Sequence, residues 1–529
     1  MTSTNLKSTS AYGVMPRLFL TVSAIVGTLV WIAVLGFHNI ADGDLWAKLV
    51  LGGHFWEQGE VLRHDLFAFT PVLPQYIDHE WGAGAVFYIL LKWCGPASLQ
   101  LLKIALACGA LGIALAIARR QHCRWEVLLL LAPFSAAAML SGYVPVVRSH
   151  AFTFFFFAVT LLILEETWRG NKKWILVQVP IMGLWANLHG GFVAGLGATL
   201  IYTAFALAAS KEWKPFVALL AASAVASSLN PYGLQFWKYL LPALAHPRPE
   251  IPEWLPPPLW GMDAFIGFRV LFLMVLLVIV SGWRCTASKP SLPALAMLAL
   301  TAFLGWQSRR HGPFFAVTAM AFAAPFLQGI LTRIRRHLNA RLPGLRLQPA
   351  MVVLAFYFAL TCWAAVQVLP GTSLQVLAPV GAYPVREADI LQRSGVSGNL
   401  ITPFEWGSYC TWRLFPRIKV SMDGRYEAAY PESTFRMNQD FHFKRGSDWN
   451  RLLRDHRIDF VILDLSQTRL DPAELEARGF VVIWTQPGCS ALLASYAQAA
   501  QLREAAASLP PTTIDPLDAS ILTSWWNVE

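Results

Sequence analysis

The stretch FHNIADGDLWAKLVLGG, residues 37–53, places two carboxylates, Asp42 and Asp44, directly after a hydrophobic run. The run that precedes them, at residues 18–37, has the length and composition of a membrane-spanning helix. Charged groups at the edge of a bilayer are costly unless they face a cavity or a partner, and the nearest Lys or Arg along the chain is Lys48. The stretch therefore predicts a polar site where the chain leaves a membrane.

The composition supports a membrane protein. Of the 529 residues, 55% are hydrophobic and 14% are charged, and the mean hydropathy is +0.46. Soluble domains usually carry about 25% charged residues. The net charge of +10 is spread between apolar runs rather than clustered, so it indicates membrane topology and membrane lipids as the surroundings, with no nucleic acid as a partner.

Apolar runs of roughly the length of a membrane span recur over the first 370 residues, although several are short. There are about eleven, at residues 18–37, 99–117, 126–142, 151–164, 174–188, 191–209, 214–229, 265–282, 291–306, 313–330 and 350–369. The apolar segment 81–93 is too short to cross comfortably, and we expect it to lie flat in the interface as an amphipathic helix.

The distribution of Lys and Arg predicts the orientation. Basic stretches, among them 118–124 and 333–341, follow alternate spans and share one side if 81–93 does not cross. The N-terminus is therefore expected in the cytoplasm, with the first run as an uncleaved anchor in the cell (inner) membrane. An odd number of spans then places the C-terminal part outside the cell membrane.

Short strand-like and helical patterns alternate from about residue 380. Strands are predicted at 417–424, 459–464 and 480–486, and helices at 447–456 and 471–479. The predicted fold is a polytopic α-helical membrane domain over 1–370, with a first outer loop at 38–98. A small extracytoplasmic α/β domain over 371–498 and a loosely ordered tail at 499–529 follow it. Cys410 and Cys489 fall in the polar part and could pair outside the cell, which the sequence leaves open.

The outer side should be poor in cations, yet three arginines are predicted there, Arg148, Arg309 and Arg310. The other polar residues predicted on that side near span ends are His79, Glu80, His150, Asn187, His189, Glu253 and His311. A carboxylate in a partly dehydrated cavity can take the proton of a hydroxyl, while Arg and His hold a departing phosphate. Asp42 and Asp44 could also bind a divalent metal such as Mg²⁺ or Mn²⁺, which prefer oxygen ligands.

Each of these residues also has a purely structural interpretation. Asp44 is a suitable N-cap for the helix that follows it. His79 and Glu80 could pair with Arg63 at the surface, and one of the adjacent arginines could bind lipid headgroups. Asn187 and His189 could terminate a helix, and Glu253 could be an interfacial anchor.

Six motifs in a fixed order resemble the GT-C superfamily of membrane glycosyltransferases. They are DGDLWAKLVLGGHFWEQGEVLRHDLFAFT (42–70), YIDHEW (76–81), LWANLHGGF (184–192), SSLNPYG (227–233), PEW (252–254) and FEWGSYCTWRLFPRIKVSMDGRYEAAY (404–430). The resemblance covers about residues 15–330 and 380–495, and it is closest to a bacterial GT-C-like family related to protein O-mannosyltransferase-type enzymes. Where many members of that family have Pro, Trp and His, this chain has Gly43, Ala47 and Lys48, so the resemblance does not establish a metal site.

The resemblance implies a glycosyltransferase that moves a sugar from a polyprenyl-phosphate donor to a hydroxyl of a glycan, lipid or protein on the outer face. It assigns the catalytic acids to Asp42 or Asp44 and to Glu80. The expected substrate-binding residues are His79, Arg148, His150, Asn187, His189, Glu253, Arg309, Arg310 and His311. The C-terminal motifs are expected to contribute at most to acceptor binding.

Two other functional classes stay open at this point. A ligase or polymerase of lipid-diphosphate glycans would also use Arg and His on outer loops, and the number of phosphates on its substrate would distinguish it. A transporter or non-catalytic assembly factor is the second alternative. Transporters commonly have internal repeats and acids in mid-span, and the sequence has neither.

Overall fold

The computed structural model describes residues 38–141, 146–209, 211–245, 251–341, 374–509 and 514–516, with isolated positions between 22 and 36 and between 356 and 366. The apolar runs predicted at 18–37 and 350–369 therefore lie largely outside the described residues. The helices up to residue 341 are α1 (Gly43–Gln58), α2 (Trp81–Cys94), α3 (Ala97–Arg120), α4 (Trp125–Ser141), α5 (His150–Trp168), α6 (Ile175–Leu188), α7 (Phe192–Ala208), α8 (Lys214–Ala226), α9 (Leu234–Ala245), α10 (Ile266–Gly282), α11 (Leu292–Gln307), α12 (Gly312–Phe322) and α13 (Ala324–Arg341).

Few of these helices are long enough to cross a bilayer on their own. Among the described residues, α3 and α5 have the length and composition of a span, and the bent pair Arg309–Phe322 and Ala324–Ala340 adds a third if it counts as one span. Several other apolar helices have 13 to 17 residues. A helix of that length is roughly 20–25 Å long, against a hydrocarbon core of about 30 Å. The predicted number of spans stays a prediction.

Helix α1 begins two residues earlier than the sequence interpretation of its cap implies. Asp42 has extended backbone angles, and its Oδ1 accepts a hydrogen bond from the Asp44 amide at 3.0 Å. Asp42 is therefore the N-cap, and the interpretation of Asp44 as the cap is wrong. Asp44 lies in the first turn, and its carboxylate contacts Arg148.

Helix α2 packs against α1 as the second arm of a hairpin. Its small residues allow a close approach, because a Cβ atom on Gly84 would lie 2.6 Å from the Lys48 carbonyl oxygen. The side of α2 that includes Phe87, Tyr88 and Leu91 is buried, while Trp93 is exposed. The structure thus has a helix where the sequence predicts one, and its position flat in the membrane interface stays a prediction.

The C-terminal part is the expected small α/β domain. Its strands are β1 (Leu377–Pro379), β2 (Gly398–Ile401), β3 (Ile418–Val420), β4 (Phe460–Asp464), β5 (Phe480–Gln486), β6 (Ser490–Ser495) and β7 (Ile514–Pro516). Its helices are α14 (Val385–Ser394), α15 (Phe404–Leu414), α16 (Glu432–Phe443), α17 (Arg451–Asp455), α18 (Pro472–Glu476) and α19 (Tyr496–Ser508). The main sheet has the order β3-β2-β4-β6-β5, with β2 parallel to β3 and β4 and the other pairs antiparallel.

The domain continues past its predicted boundary at residue 498. Helix α19 covers part of the predicted loose tail, and Leu502 on it is buried against the domain. Strand β7 pairs with β1, which the sequence does not predict. Cys410 and Cys489 are both free thiols, and Cys410 is buried beside Thr402.

The domain docks on the first outer loop, and this contact positions the two acids. The Ala41 amide donates a hydrogen bond to the Leu377 carbonyl at 2.8 Å, immediately before α1. Trp46, buried on α1, packs edge-on against Tyr383 and Tyr409 of the domain. Farther along the loop, the Phe69 amide donates to the Val420 carbonyl on edge strand β3.

Candidate active site

A cavity of about 520 Å³ lies between the helical bundle and the C-terminal domain. Its polar end is lined by Asp44 and Lys48 of α1 and by the turn that contains His79 and Glu80. Turns of the bundle at Glu253 and at Arg310–His311 also line it. Residues 424–428 of the C-terminal domain form another part of its wall, which we call the roof. Segments separated by hundreds of residues thus share one enclosed space.

Arg148 is the centre of an acidic cluster at one side of the cavity. Its guanidinium contacts the carboxylates of three residues: Nε lies 2.6 Å from Asp42 Oδ1, Nη2 lies 3.0 Å from Asp44 Oδ2, and Nη1 lies 2.6 Å from Glu253 Oε2. Arg310 approaches the other oxygen of Glu253 at 3.5 Å. Burial alone would raise the pKa of Glu253, but Arg148 and Arg310 lower it. Two cations therefore hold three acids together at the cavity wall.

Asp44 is the acid of this cluster that faces the cavity most openly. Its side chain is 52% exposed, against 18% for Asp42, and it lines the cavity. Desolvation raises the pKa of Asp44 to about 7; Arg148 opposes the shift, while Asp42, Glu253 and Glu80 add to it. A carboxyl group with such a pKa can both accept and release a proton near neutral pH.

A second pair of acids, Asp78 and Glu80, shares the ammonium of Lys48. The Lys48 ammonium lies 3.0 Å from Asp78 Oδ1 and 3.0 Å from Glu80 Oε2, and all three side chains are largely buried. Although burial raises the pKa of Glu80, Lys48, His189 and His79 lower it well below the ordinary value. Glu80 is therefore a fixed anion, in contrast to Asp44.

His189 is held in one tautomer by its neighbours. Its Nδ1 accepts a hydrogen bond from the Gly191 amide at 2.8 Å and lies 2.8 Å from Thr153 Oγ1. The ring proton is therefore on Nε2, which faces Glu80 Oε1 at 3.2 Å. Burial lowers the pKa of His189 to about 4, so the ring is neutral at pH 7.

The far wall of the cavity is apolar. It is formed by Val193, Ala194, Gly197, Leu244, Leu300 and Leu304, from helices α7, α9 and α11. Leu244 and Leu300 are also partly exposed. The cavity thus combines a charged end with a wall that suits a hydrocarbon chain.

Two adjacent arginines have different surroundings. Arg310 stacks over the Trp254 ring at 4.2 Å and lines the cavity. Arg309 points to the other side, where its Nε donates to the Pro256 carbonyl at 3.2 Å and its guanidinium lies over the Phe265 ring at 5.0 Å. His311 lines the cavity with Arg310.

The structure brings most of the predicted site residues to one place. The predicted residues that line the cavity are Asp44, His79, Glu80, Arg148, His150, His189, Glu253, Arg310 and His311. Asp42 supports them from the α1 cap, and Arg309 faces away. Asn187 also lies apart from the cavity, because its amide accepts from Trp81 Nε1 and donates to the Gly183 and Leu229 carbonyls.

Several lining residues are absent from the predicted set. Lys48 is four residues after Asp44, so the helical repeat places both on one face and could have identified it. Arg425 and Glu427 reach the cavity only through the docking of the C-terminal domain. Arg425 is buried between the carboxylates of Asp65 and Asp423, which fixes this part of the roof to the first outer loop.

The expected metal ligands do not fit a divalent ion. The carboxylates of Asp42 and Asp44 already contact Arg148, and the second acid pair contacts Lys48. Among the residues that the structure describes, no three His, Cys, Asp or Glu side chains are arranged to hold a metal ion. The acids are neutralised by side-chain cations instead.

The fold, a helical bundle with a docked α/β domain, is similar to the folds of solved oligosaccharyltransferase and arabinofuranosyltransferase structures. The oligosaccharyltransferase AglB from Archaeoglobus fulgidus, in complex with an inhibitory peptide and a dolichol-phosphate, aligns with a TM-score of 0.58 at 12% identity. That alignment covers 97% of this chain and 77% of AglB. The arabinofuranosyltransferase AftD from Mycobacteria aligns with a TM-score of 0.54 at 15% identity, over 90% of this chain and 41% of AftD.

A third similar structure is ArnT from Cupriavidus metallidurans bound to undecaprenyl phosphate. It has a TM-score of 0.46 at 13% identity, over 92% of this chain and 98% of ArnT. No protein-family profile and no curated protein matches the sequence. The comparisons with AglB and AftD therefore establish the fold alone.

Proposed function

We propose that the chain is a glycosyltransferase of the inner membrane that moves a sugar from a polyprenyl-phosphate donor to an acceptor hydroxyl on the outer face. The observation that carries the proposal is the cavity. It joins a carboxylate with a pKa near neutrality, cations suited to a phosphate and an apolar wall suited to a lipid chain. AglB, which has a similar fold, is in complex with a dolichol-phosphate, and this supports a lipid phosphate as the ligand.

In the proposed reaction the acceptor oxygen attacks the anomeric carbon of the sugar. A bond forms between these two atoms as the bond from the anomeric carbon to the phosphate oxygen breaks. Asp44 takes the acceptor proton, and the polyprenyl phosphate leaves with the electron pair of the broken bond. The step needs no oxidant, reductant or further reactant.

The polar residues of the cavity have separate roles in this scheme. Arg310 and His311 hold the phosphate, with Arg310 pre-positioned on the Trp254 ring. Glu80 and His79 orient the sugar or the acceptor by hydrogen bonds, and Lys48 and His189 keep Glu80 in place. The polyprenyl chain lies along the apolar wall toward the partly exposed Leu244 and Leu300.

The test is binding of undecaprenyl phosphate to the purified chain in lipid nanodiscs, measured by native mass spectrometry. Loss of one charge-assisted contact, about 1.5–3 kcal/mol, should weaken binding by roughly ten- to a hundred-fold in Arg310→Ala. Arg309→Ala is the matched control, because the neighbouring arginine faces away, and it should bind as the wild type does. Equal weakening in both variants, or no binding by the wild type, would refute the proposed phosphate site.

Turnover distinguishes the proposed reaction from its alternatives. Radiolabelled polyprenyl-phosphate monosaccharides with mannose, glucose or arabinose are incubated with the chain and bacterial membranes as the acceptor source. Release of polyprenyl phosphate supports the proposal. Turnover of a polyprenyl-diphosphate glycan alone would favour the ligase or polymerase, and binding without any turnover would favour a non-catalytic assembly factor or transporter.

A further inference from the structure

The acids at the cavity wall are arranged around a guanidinium. Arg148 uses three different nitrogens for three carboxylates, at 2.6, 3.0 and 2.6 Å from Asp42, Asp44 and Glu253. These acids come from the α1 cap, the first turn of α1 and the short turn Pro252–Trp254. The planar group therefore connects two segments that are about 200 residues apart in sequence, through donors that match carboxylate geometry.

This arrangement leaves no position for a metal ion among the same carboxylates. Mg²⁺ requires oxygen ligands at about 2.0–2.1 Å around a central point. The space between these oxygens is filled by the guanidinium, and Arg310 supplies a second positive charge beside Glu253. The other acid pair, Asp78 and Glu80, holds the Lys48 ammonium in the same way.

We propose that Arg148 takes the place of a divalent cation in this site: it assembles Asp42, Asp44 and Glu253 and makes the site independent of Mg²⁺ and Mn²⁺. Arg148 is a positioning residue in this scheme, because it acts through the Asp44 carboxylate. That role rests on the proposed function, whereas the absence of metal binding does not.

The experiment measures Mn²⁺ binding by electron paramagnetic resonance, and the melting temperature with and without Mn²⁺ or EDTA, on the full chain in nanodiscs. The wild type should bind no Mn²⁺ at this site, and EDTA should leave its melting temperature unchanged. Arg148→Ala releases three carboxylates and should gain Mn²⁺ binding, seen as a Mn²⁺-dependent rise in melting temperature. Adding Asp44→Asn to Arg148→Ala should abolish that gain.

Two controls keep the result specific to the position of Arg148. Arg310→Ala removes a cation from the same cavity but leaves Arg148 in place, so it should gain no Mn²⁺ site. Arg148→Lys retains a charge without the three-way geometry, and it should bind less Mn²⁺ than Arg148→Ala.

Stoichiometric Mn²⁺ binding by the wild type that is lost in the double variant Asp42→Asn/Asp44→Asn would overturn the inference. So would a folded Arg148→Ala that gains no Mn²⁺ site. If Arg148→Ala does not fold, the wild-type measurement alone decides: no binding supports the inference and binding at these acids refutes it. None of these results depends on whether transfer activity is found, so failure of this inference and failure of the proposed function are distinguishable.

Discussion

Lys48 offers the sharpest test of how the site is held together. Its ammonium bridges Asp78 and Glu80, and the three side chains are only 12%, 3% and 12% exposed. Lys48→Met keeps the length of the side chain and removes the charge, which leaves two buried carboxylates without their cation. Removing one partner of a buried ion pair costs about 3–5 kcal/mol.

That loss should lower the melting temperature measurably. For a chain of this length, an unfolding entropy of about 2.1 cal/mol/K per residue converts the loss to roughly 3–4 °C. The assay is thermal unfolding in nanodiscs at pH 7, followed by tryptophan fluorescence. The pKa of Glu80 is lower in the folded wild type than in the unfolded chain. The ion pair of Glu80 with Lys48 therefore contributes its whole stabilisation above the pKa of Glu80 in the unfolded chain. This stabilisation is lost as the pH falls toward the pKa of Glu80 in the folded protein. The difference between Lys48→Met and the wild type should therefore narrow as the pH falls below about 4.3.

Lys92→Met is the matched control. Lys92 pairs with Glu57 at 2.9 Å on the same helical hairpin, but these side chains are 33% and 29% exposed. An exposed pair contributes at most about 1 kcal/mol. Equal shifts in the two variants, or no shift in Lys48→Met, would refute the account of Lys48 as the buried counter-ion of the site.

Three further predictions follow from the same geometry. Turnover should rise with pH through about 7 and then level off, because Asp44 must lose its proton to act as a base. A rise centred near pH 4 would show that burial and the charges of Arg148, Asp42, Glu253 and Glu80 do not raise the pKa of Asp44. Gly84→Ala should lower the melting temperature, because its methyl group would lie 2.6 Å from the Lys48 carbonyl oxygen. Gly112→Ala on α3 is the control: its methyl group would meet open space, so the melting temperature should stay the same or rise slightly. A larger loss of stability in Gly112→Ala than in Gly84→Ala would contradict the close packing of α1 on α2. Asp65→Asn should weaken the ion pair that holds Arg425, and amide hydrogen exchange at residues 420–430 should become faster. Exchange as slow as in the wild type would show that the position of these residues does not depend on the ion pair between Asp65 and Arg425.

Much of the candidate site could be predicted because charged residues near a membrane boundary are energetically costly and usually face a cavity or a charged partner. Arginines and histidines on the side that should be poor in cations, together with acids at span ends, are unusual in an apolar chain. Nine of the predicted side chains line one cavity. The choice between Asp42 and Asp44 could not be made from sequence, because both suit an N-cap. In the structure, the Ala41 amide donates a hydrogen bond to the Leu377 carbonyl directly before Asp42. Asp42 has extended backbone angles and is the N-cap, so this tertiary contact adjoins the start of the helix.

The residues that sequence reasoning missed depend on tertiary contacts. Arg425 reaches the cavity because β3 pairs with residues 67–70 of the first outer loop. Asn187 has the residue type expected at a site, yet its amide is used to pack α6 against Trp81. Strand β6, with the sequence SALLAS, has little β-branched or aromatic content and was therefore not predicted, although it pairs with both β4 and β5.

Helix α19 runs across residue 498, the predicted end of the α/β domain. Helix α19, YAQAAQLREAAAS, is rich in strong helix formers but has few large apolar residues, and it packs against the domain through buried residues such as Leu502.

The most direct measurement of the central claim uses Asp44→Asn, which removes the base and keeps the shape of the side chain. The account predicts that the variant binds undecaprenyl phosphate as the wild type does while release of polyprenyl phosphate from a radiolabelled donor falls by about 10²–10⁴-fold. Release at the wild-type rate by a variant that binds the lipid normally would show that no proton passes to this carboxylate, and it would contradict the account.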